Sequence, residues 1–362
     1  MERNTTPAPP LNHTDSSHFV PFSDEFFQNL TVAETIFVVV CALVTIATLA
    51  IFVEEVVYVT RHYKTSNDIK IKTLQVLSIL PVISLVAFLA LCIPRANTPC
   101  HLIIFTYISV TLYNFVNLMI LYCGGLKQML PVLKDATIEL QSPPFCCCCP
   151  CLPSKHVTQQ NVQRLIILVL QSALSQPIFA ALSLFLWIDT KYTKGKISLT
   201  DSYPYITFFS QVSFLLSLYG FIMFFGVCKV YLKPVFILVK YLSVQLIVLV
   251  CLLQEAVFSI LAKFGLPASR GILSSDVRGE AYFLMAVIIQ VMLLSVLSRH
   301  VYRHPHDQIR KLNTDHDQND GNNTNHDTIK CKILPGDETE STRALTSDLI
   351  SDQDLNNPAI PV

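Results

Sequence analysis

The sequence contains few charged side chains. Asp, Glu, Lys and Arg make up 14% of its 362 residues, whereas soluble domains contain about 25%. The formal net charge is zero, so no basic surface field indicates a nucleic-acid partner. Apolar residues account for 52% of the chain. A composition this apolar and this poor in charge predicts a membrane protein.

Glycine is scarce as well, and Gly124-Gly125 is the only adjacent pair in the chain. No Gly-Lys-Ser/Thr follows this pair, which argues against nucleotide-driven transport. No internal repeat is visible, so the inverted-repeat argument for a transporter does not apply. No set of His, Asp and Glu recurs within the apolar segments, so we expect neither an enzyme active site nor a metal or cofactor. The first thirty or so residues are polar, and we expect no cleaved signal peptide.

Seven apolar stretches are long enough to cross a bilayer core of about 30 Å as helices. We therefore predict an all-α membrane protein, a seven-helix transmembrane bundle that occupies residues 34–303. An odd number of spans places the two termini on opposite sides of the membrane. The predicted spans are Thr35–Val59, Thr73–Pro94, Leu102–Cys123, Leu165–Ile188, Tyr205–Tyr231, Tyr241–Ala262 and Ala281–Tyr302.

The N-terminus is predicted to lie outside and the C-terminus in the cytosol. Lys and Arg are concentrated in the segments that this orientation places inside. Sequons at Asn4, Asn12 and Asn29 predict a glycosylated extracellular tail over residues 1–33, although Asn29 lies close to the first helix. The polar composition after Arg303 predicts a disordered cytosolic tail over residues 304–362, and binding of its end by a PDZ domain stays open.

Five of the twelve cysteines crowd into one predicted cytosolic loop, residues 143–153. Adjacent cysteines rarely reach the geometry of a disulfide, and the run lacks the spaced pairs of structural zinc sites. We therefore predict S-acylation, which would hold the loop against the membrane. The predicted acylation sites are Cys146, Cys147, Cys148, Cys149 and Cys151.

Ionisable residues at membrane depth are candidates for a solute path, because burying them in lipid is costly. Glu255 lies well inside the predicted sixth span, next to Gln254. It could belong to a solute pathway or make a structural hydrogen bond to another helix. Lys240 begins the same span and could attract an organic anion or anchor the helix at the headgroups. Arg95, at the outer end of the second span, admits the same two interpretations.

Glu54 and Glu55 lie about one turn from the end of the first predicted span. Neighbouring helical residues point about 100° apart, so at most one of the two faces the other helices. A structural role is favoured for this pair, with one carboxylate facing the bundle and the other either snorkelling or pairing with a cytosolic-edge cation such as Lys240.

Amide side chains within the spans form a second group of candidates. Asn114 and Asn117 share one face of the third helix, and Gln171 and Gln176 lie in the fourth, where Pro177 frees a backbone carbonyl. Singly, such amides usually hold helices together. Together they indicate a partly polar groove suited to an amphipathic solute.

The run from Pro144 to Cys151 resembles the cysteine-rich loop of the organic solute transporter alpha family. Further matching stretches follow in the same order and cover nearly all of Val32 to Arg303. They are Ala50-Ile51-Phe52-Val53-Glu54-Glu55-Val56-Val57-Tyr58, Ile93-Pro94-Arg95, Gly124-Gly125, Lys240 with Gln245, Phe258-Ser259-Ile260-Leu261-Ala262, Leu297-Ser298-Arg299 and Tyr302-Arg303.

The resemblance implies a heteromer with a small single-span beta subunit, reaching the plasma membrane through the endoplasmic reticulum and basolateral in polarised epithelia. It implies movement of bile acids, conjugated steroids and related organic anions down their electrochemical gradient, without ATP. It makes Glu54, Lys240 and Gln254 candidates around the solute path and the cysteine run the acylated, lipid-contacting loop. The family often has an acidic residue shortly before the Gly-Gly pair, where this chain has Leu121 and Tyr122. Association of two alpha chains is left open.

Two other functions are compatible with seven spans. A G-protein-coupled receptor is disfavoured, because the third span ends in Leu121-Tyr122-Cys123-Gly124 rather than an acidic-Arg-aromatic triplet and the last span lacks Asn-Pro-x-x-Tyr. A transport-inactive scaffold that mainly traffics its partner stays open.

Overall fold

The computed structural model describes 20–63, 65–133, 136–138, 155–195, 198, 200–229, 231–232 and 237–319, with side chains as far as Arg303. Almost all of these residues are helical. The helices are α1 (Ser23–Gln28), α2 (Val32–His62), α3 (Asn67–Leu77), α4 (Ile79–Cys92), α5 (Asn97–Tyr122), α6 (Leu126–Val132), α7 (Gln159–Ile188), α8 (Tyr203–Cys228), α9 (Ile237–Lys263) and α10 (Ser275–Asn319), with a 3₁₀ turn at Pro94–Ala96.

Seven helical segments in the described part of the chain are long and apolar enough to cross a membrane. This confirms the all-α, seven-span prediction. All seven observed spans begin earlier than predicted, because the helices continue into residues that precede each apolar run. They are Val32–His62, Asn67–Cys92, Pro94–Tyr122, Gln159–Ile188, Tyr203–Cys228, Ile237–Lys263 and Ser275–Arg303.

The second span is interrupted at Ser78, between α3 and α4. Pro81 follows three residues later and has no N–H to donate to the carbonyl of Leu77, which explains a break at this point. Ser78 Oγ donates to the Gln75 carbonyl at 2.8 Å and lies 2.6 Å from the hydroxyl of Tyr107. The first bond supplies a donor to a backbone carbonyl at the break, and the second links the break to α5.

The seventh span continues as a helix to Asn319, beyond its apolar part. The predicted tail over residues 304–362 thus begins within this helix, and its disorder stays a prediction. Once a helix is nucleated by packed turns, adding further turns costs little, so a polar sequence can prolong it. The predicted tail from residue 320 onward lies outside the described residues.

Two short strands close the segment between α6 and α7. Strand β1 (Thr137–Ile138) pairs antiparallel with β2 (Lys155–His156), with Thr137 opposite His156 and Ile138 opposite Lys155. The two ends of the segment 139–154, which carries the cysteine run, are therefore held side by side. The run itself lies outside the described residues.

Helices α7 and α8 are joined by hydrogen bonds between small polar side chains. The hydroxyls of Ser175 and Ser213 are 2.7 Å apart. Gln176 is buried, donates to the Ser210 carbonyl at 2.9 Å and accepts from the Ser210 hydroxyl at 2.8 Å. Polar bonds of this kind are a usual means of joining helices in lipid.

Gly220 lets the same two helices approach closely. A Cβ at this position would stand 3.0 Å from Leu168 Cδ2 and 3.2 Å from Leu168 Cβ, which is tighter than normal van der Waals contact. Small residues at such crossings allow backbones to pack in membranes, where apolar contact alone gives no preference over lipid.

The described residues form two compact units. The first contains the described residues of Met1–Leu49, Pro81–Ile104 and Leu246–Leu293, and the second those of Ala50–Leu80, Phe105–Gln245 and Leu294–Val362. The contacts described for each candidate residue join residues of the same unit.

Replacing Gly220 with Leu is expected to destabilise the protein by about 1–3 kcal/mol, because the new side chain meets Leu168. The measurement is the melting temperature of the purified protein in detergent. Gly226→Leu is the matched control on the same helix, since nothing lies within 4 Å of the point where a Cβ would stand at that position. Equal losses for the two variants would contradict the close-packing role of Gly220.

Candidate functional site

Lys240 is a buried cation in the second unit. It lies three residues after the start of α9 and its side chain is 2% exposed. Its Nζ donates to the hydroxyl of Tyr122 at 3.2 Å. The same nitrogen is 4.9 Å from the ring centre of Tyr122 and 4.9 Å from that of Tyr302. We call Lys240, Tyr122 and Tyr302 the Lys240 site.

Different local features position the two tyrosines, a glycine turn after Tyr122 and a hydrogen bond to the backbone of Tyr302. Tyr122 is the last residue of α5, and the following Gly124 and Gly125 have φ angles of 81° and 94°, which favour glycine and turn the chain. Tyr302 lies on α10, and its carbonyl accepts a hydrogen bond of 2.8 Å from the hydroxyl of Tyr63. Burial raises the pKa of the Tyr63 hydroxyl, so this group keeps its proton and stays a donor.

Glu54 and Glu55 pair with arginines of α10. Arg299 Nη2 is 2.6 Å from Glu54 Oε1, and Arg303 reaches both Glu54 at 3.0 Å and Glu55 at 2.9 Å. Both carboxylates therefore pair with cations, but these are Arg299 and Arg303 rather than Lys240, which the sequence offered as an example. The side chain of Glu54 is 47% exposed, whereas that of Glu55 is 3% exposed. Glu55 therefore depends on its arginine far more than Glu54 does.

Lys240 has no carboxylate within ion-pair distance among the described residues. Its contacts are a phenol oxygen and two aromatic faces, which stabilise a cation only in part. A buried ammonium without a counter-charge is costly, and it attracts an anion that reaches it. The Lys240 site therefore has the chemistry of an anion-binding site.

An aromatic stack adjoins this cation along the chain. The ring of Tyr241 lies parallel to that of Phe225, with centroids 3.7 Å apart, and its other neighbour is Phe221 at 5.4 Å. Phe115 meets the edge of Phe221 at 5.7 Å. These buried rings pack against one another and form an aromatic contact between α5, α8 and α9.

Asn114 of α5 accepts a hydrogen bond of 3.0 Å from Lys72 Nζ of α3. Lys72 is not among the residues that the sequence singled out. Lys72 directly precedes the predicted span, where a lysine is easily taken as a headgroup anchor, and only the structure begins the helix at Asn67 and so places Lys72 five residues into α3. Asn117 is half-buried one turn further along α5.

The two candidate glutamines of α7 behave differently. Gln176 is held by the two hydrogen bonds to Ser210, which is the structural role left open by the sequence. Gln171 has a buried Nε2 with no hydrogen-bond partner in the described part of the chain. Buried amide donors of this kind are rare in folded proteins. Gln171 therefore stays a candidate for contact with a ligand.

In the first unit, Glu255 of α9 meets His101 of α5. Glu255 Oε1 and His101 Nε2 are 2.6 Å apart, and both side chains are about one-fifth exposed, at 21% and 23%. This contact joins two helices and supports the structural interpretation of Glu255. The neighbouring Gln254 has a buried Oε1 without a partner among the described residues.

Arg95 binds the segment that precedes α1 in the first unit. Its guanidinium carbon lies 3.4 Å from the ring centre of Phe22, and its Nε donates to the Val20 carbonyl at 3.2 Å. Arg95 is therefore engaged by the chain itself in this structure.

Glu34 is a buried carboxylate that was not predicted from the sequence. It accepts bonds of 2.7 Å from both Arg278 and Tyr282. It also forms a capping box with Thr31, since Thr31 N donates to Glu34 Oε2 at 2.7 Å and Glu34 N donates to Thr31 Oγ1 at 3.1 Å. The Thr-x-x-Glu spacing at the start of the first span was a readable signal for this cap.

Of the predicted acylation and glycosylation sites, only Asn29 lies among the described residues. The acylated cysteines, Asn4 and Asn12 all lie outside the described residues. Asn29 is described, and its Nδ2 donates to the Glu25 carbonyl at 2.8 Å, three residues before α2 begins. Among the described residues, no three His, Cys, Asp or Glu side chains could together hold a metal ion.

Comparisons with known proteins give a consistent result. The family model described as "Organic solute transporter Ostalpha" matches residues 37–308. The organic solute transporter subunit alpha of Mus musculus is 31% identical over 80% of this chain and 85% of its own, and that of Bos taurus is 30% identical over 80% and 85%. The subunit from Danio rerio is 26% identical over 80% and 88%. No solved structure matches the chain.

Replacing Arg303 with Met is expected to cost about 3 kcal/mol, because it leaves the buried Glu55 without a counter-charge. Arg299→Met is the matched control and should cost less than about 1 kcal/mol, since its partner Glu54 is exposed. The measurement is thermal unfolding of both purified variants in detergent. A larger loss for Arg299→Met would contradict the assignment.

Proposed function

The chain belongs to the organic solute transporter alpha family and has a transporter role, and from this we propose that it is the alpha subunit of a heteromeric facilitative carrier. Its solutes are bile acids, conjugated steroids and related organic anions. Its partner is a single-span beta subunit, and the complex acts at the plasma membrane, on the basolateral side of polarised epithelia. The N-terminus lies outside and the cysteine run is acylated at the cytosolic face.

The observation that carries this proposal is the Lys240 site. A buried ammonium without a carboxylate partner in the described chain favours an anionic ligand. The ring faces of Tyr122 and Tyr302 beside the ammonium supply aromatic carbon surface. An amphipathic anion, with one charged group on a rigid apolar body, matches both features. A small inorganic anion would use only the first.

Transport of the solute down its electrochemical gradient, without ATP, agrees with the motifs of the sequence. The sequence has no phosphate-binding loop next to its Gly-Gly pair, so no nucleotide drive is available from this subunit. Solute flux then follows the gradient of the organic anion and the membrane potential. An anion moving outward from a cell with a negative interior gains about 2.3 kcal/mol per 100 mV.

The proposal is tested by flux of labelled taurocholate and a steroid sulfate in cells that express this chain alone or with a beta subunit. We expect partner-dependent uptake and efflux that reverse with the gradient and persist after ATP depletion. No flux with both chains at the cell surface would reject the carrier for these solutes and favour the alternative, a transport-inactive scaffold that traffics its partner.

Replacing Lys240 with Met should weaken the apparent affinity for taurocholate roughly 10- to 100-fold, because a charge-assisted bond contributes about 1.5–3 kcal/mol. The measurement is KM for efflux at matched surface expression. Lys229→Met is the control, since Lys229 is an exposed residue at the end of α8. An unchanged KM in Lys240→Met would remove the Lys240 site from the solute path.

A further inference from the structure

Lys72 is a second cation of the second unit that lies inside a membrane span. It is half-buried on α3, and its Nζ donates to Asn114 Oδ1 at 3.0 Å. Asn114 itself is 9% exposed. The cation is therefore held in place by a neutral amide rather than by an acid.

The ammonium of Lys72 has three donors and no acceptor, and Asn114 uses one donor. No carboxylate lies within 4 Å of this nitrogen in the described part of the chain. Asp68 stands one turn earlier on α3 and acts on Lys72 only at longer range. The positive charge is thus positioned but incompletely neutralised, and it has donors to spare for a ligand.

Lys72 and Lys240 both lie near the start of their helices. Lys72 is five residues after the start of α3, and Lys240 is three residues after the start of α9. At a rise of 1.5 Å per residue these positions are about 8 and 5 Å along the helix axis from its first residue. The second and sixth spans cross the membrane in the same direction, so both lysines approach the same membrane face.

We propose that Lys72 and Asn114 form a second binding site for the anionic group of the transported solute, a sulfonate, sulfate or carboxylate. This inference rests on the proposed function and adds a step to it. A solute that meets two separate cations near one face can pass between them, so neither needs to hold it tightly. Several weak sites in place of one strong site allow a bound ion to leave.

Replacing Asp68 should change the affinity for the solute in the direction opposite to replacing Lys72. If an anion binds at Lys72, the carboxylate one turn away opposes it, and Asp68→Asn should strengthen binding. If Lys72 only anchors α3, Asp68→Asn should not improve the affinity for a solute. Lys70 lies on the same helix, two residues away, and provides a control lysine without a described bond to Asn114.

The experiment reconstitutes this chain with a beta subunit in phosphatidylcholine vesicles and measures KM for labelled taurocholate. We expect Lys72→Met to raise KM about tenfold, Lys72→Arg to retain most of the affinity, Asp68→Asn to lower KM about two- to threefold, and Lys70→Met to leave it unchanged. Equal effects of Lys72→Met and Lys70→Met, or no fall in KM for Asp68→Asn, would overturn the proposal.

A second arm separates a solute from a lipid headgroup, which shares the same anionic chemistry. The measurements are repeated with phosphatidylserine added to the vesicles. An effect of Lys72→Met that appears only with phosphatidylserine would assign the site to lipid and reject a solute site. An effect in both membranes supports the solute.

Direct binding distinguishes failure of this inference from failure of the proposed function. Taurocholate should raise the melting temperature of the purified wild-type complex and raise it less in Lys72→Met. If the wild-type complex shows no flux, the proposed function fails, and this thermal shift still decides whether Lys72 binds the anion. Equal shifts in both proteins would overturn the site.

Discussion

A charged side chain among apolar helices requires an opposite charge or a set of strong hydrogen bonds, and this requirement organises the contacts of both units. In the first unit Glu34 is satisfied by Arg278, Tyr282 and its own cap. In the second unit the charge of Glu55 is paired with Arg303 through Oε1. Lys240 departs from this pattern because its described contacts are tyrosines. Lys72 departs from it as well, because its described partner is the amide of Asn114, and these two cations therefore mark the candidate anion sites.

The seven spans could be predicted because a bilayer demands long apolar runs, and hydropathy along the sequence reports such runs directly. The interruption at Ser78 also had a local signal, the proline at position 81. The end of α10 had none, since residues 304–319 are polar and their helix depends on turns already formed before them. Composition therefore predicts which segments can enter the membrane more accurately than it predicts the residue at which a helix ends.

The candidate site was only partly predictable for a different reason. The sequence shows that Glu54, Glu55 and Lys240 need partners, but partner choice depends on which helices are neighbours. The arginines that bind Glu54 and Glu55 stand 245 and 248 positions away. The bond between Lys72 and Asn114 spans 42 positions and has no sequence motif. The buried amides of Gln171 and Gln254 could be located by sequence, whereas their lack of a described partner required the structure.

The separation of these contacts along the chain has a consequence for biosynthesis. Helices α7 and α8 bond through residues 34 and 38 positions apart, so this hairpin can pair soon after both helices leave the ribosome. Glu34 and Glu54 in α2 bind arginines 244 and 245 positions later. The first helix to enter the membrane must therefore remain with uncompensated carboxylates until the last one is translated. During that interval the nascent chain depends on water, lipid headgroups or the insertion machinery to shield them.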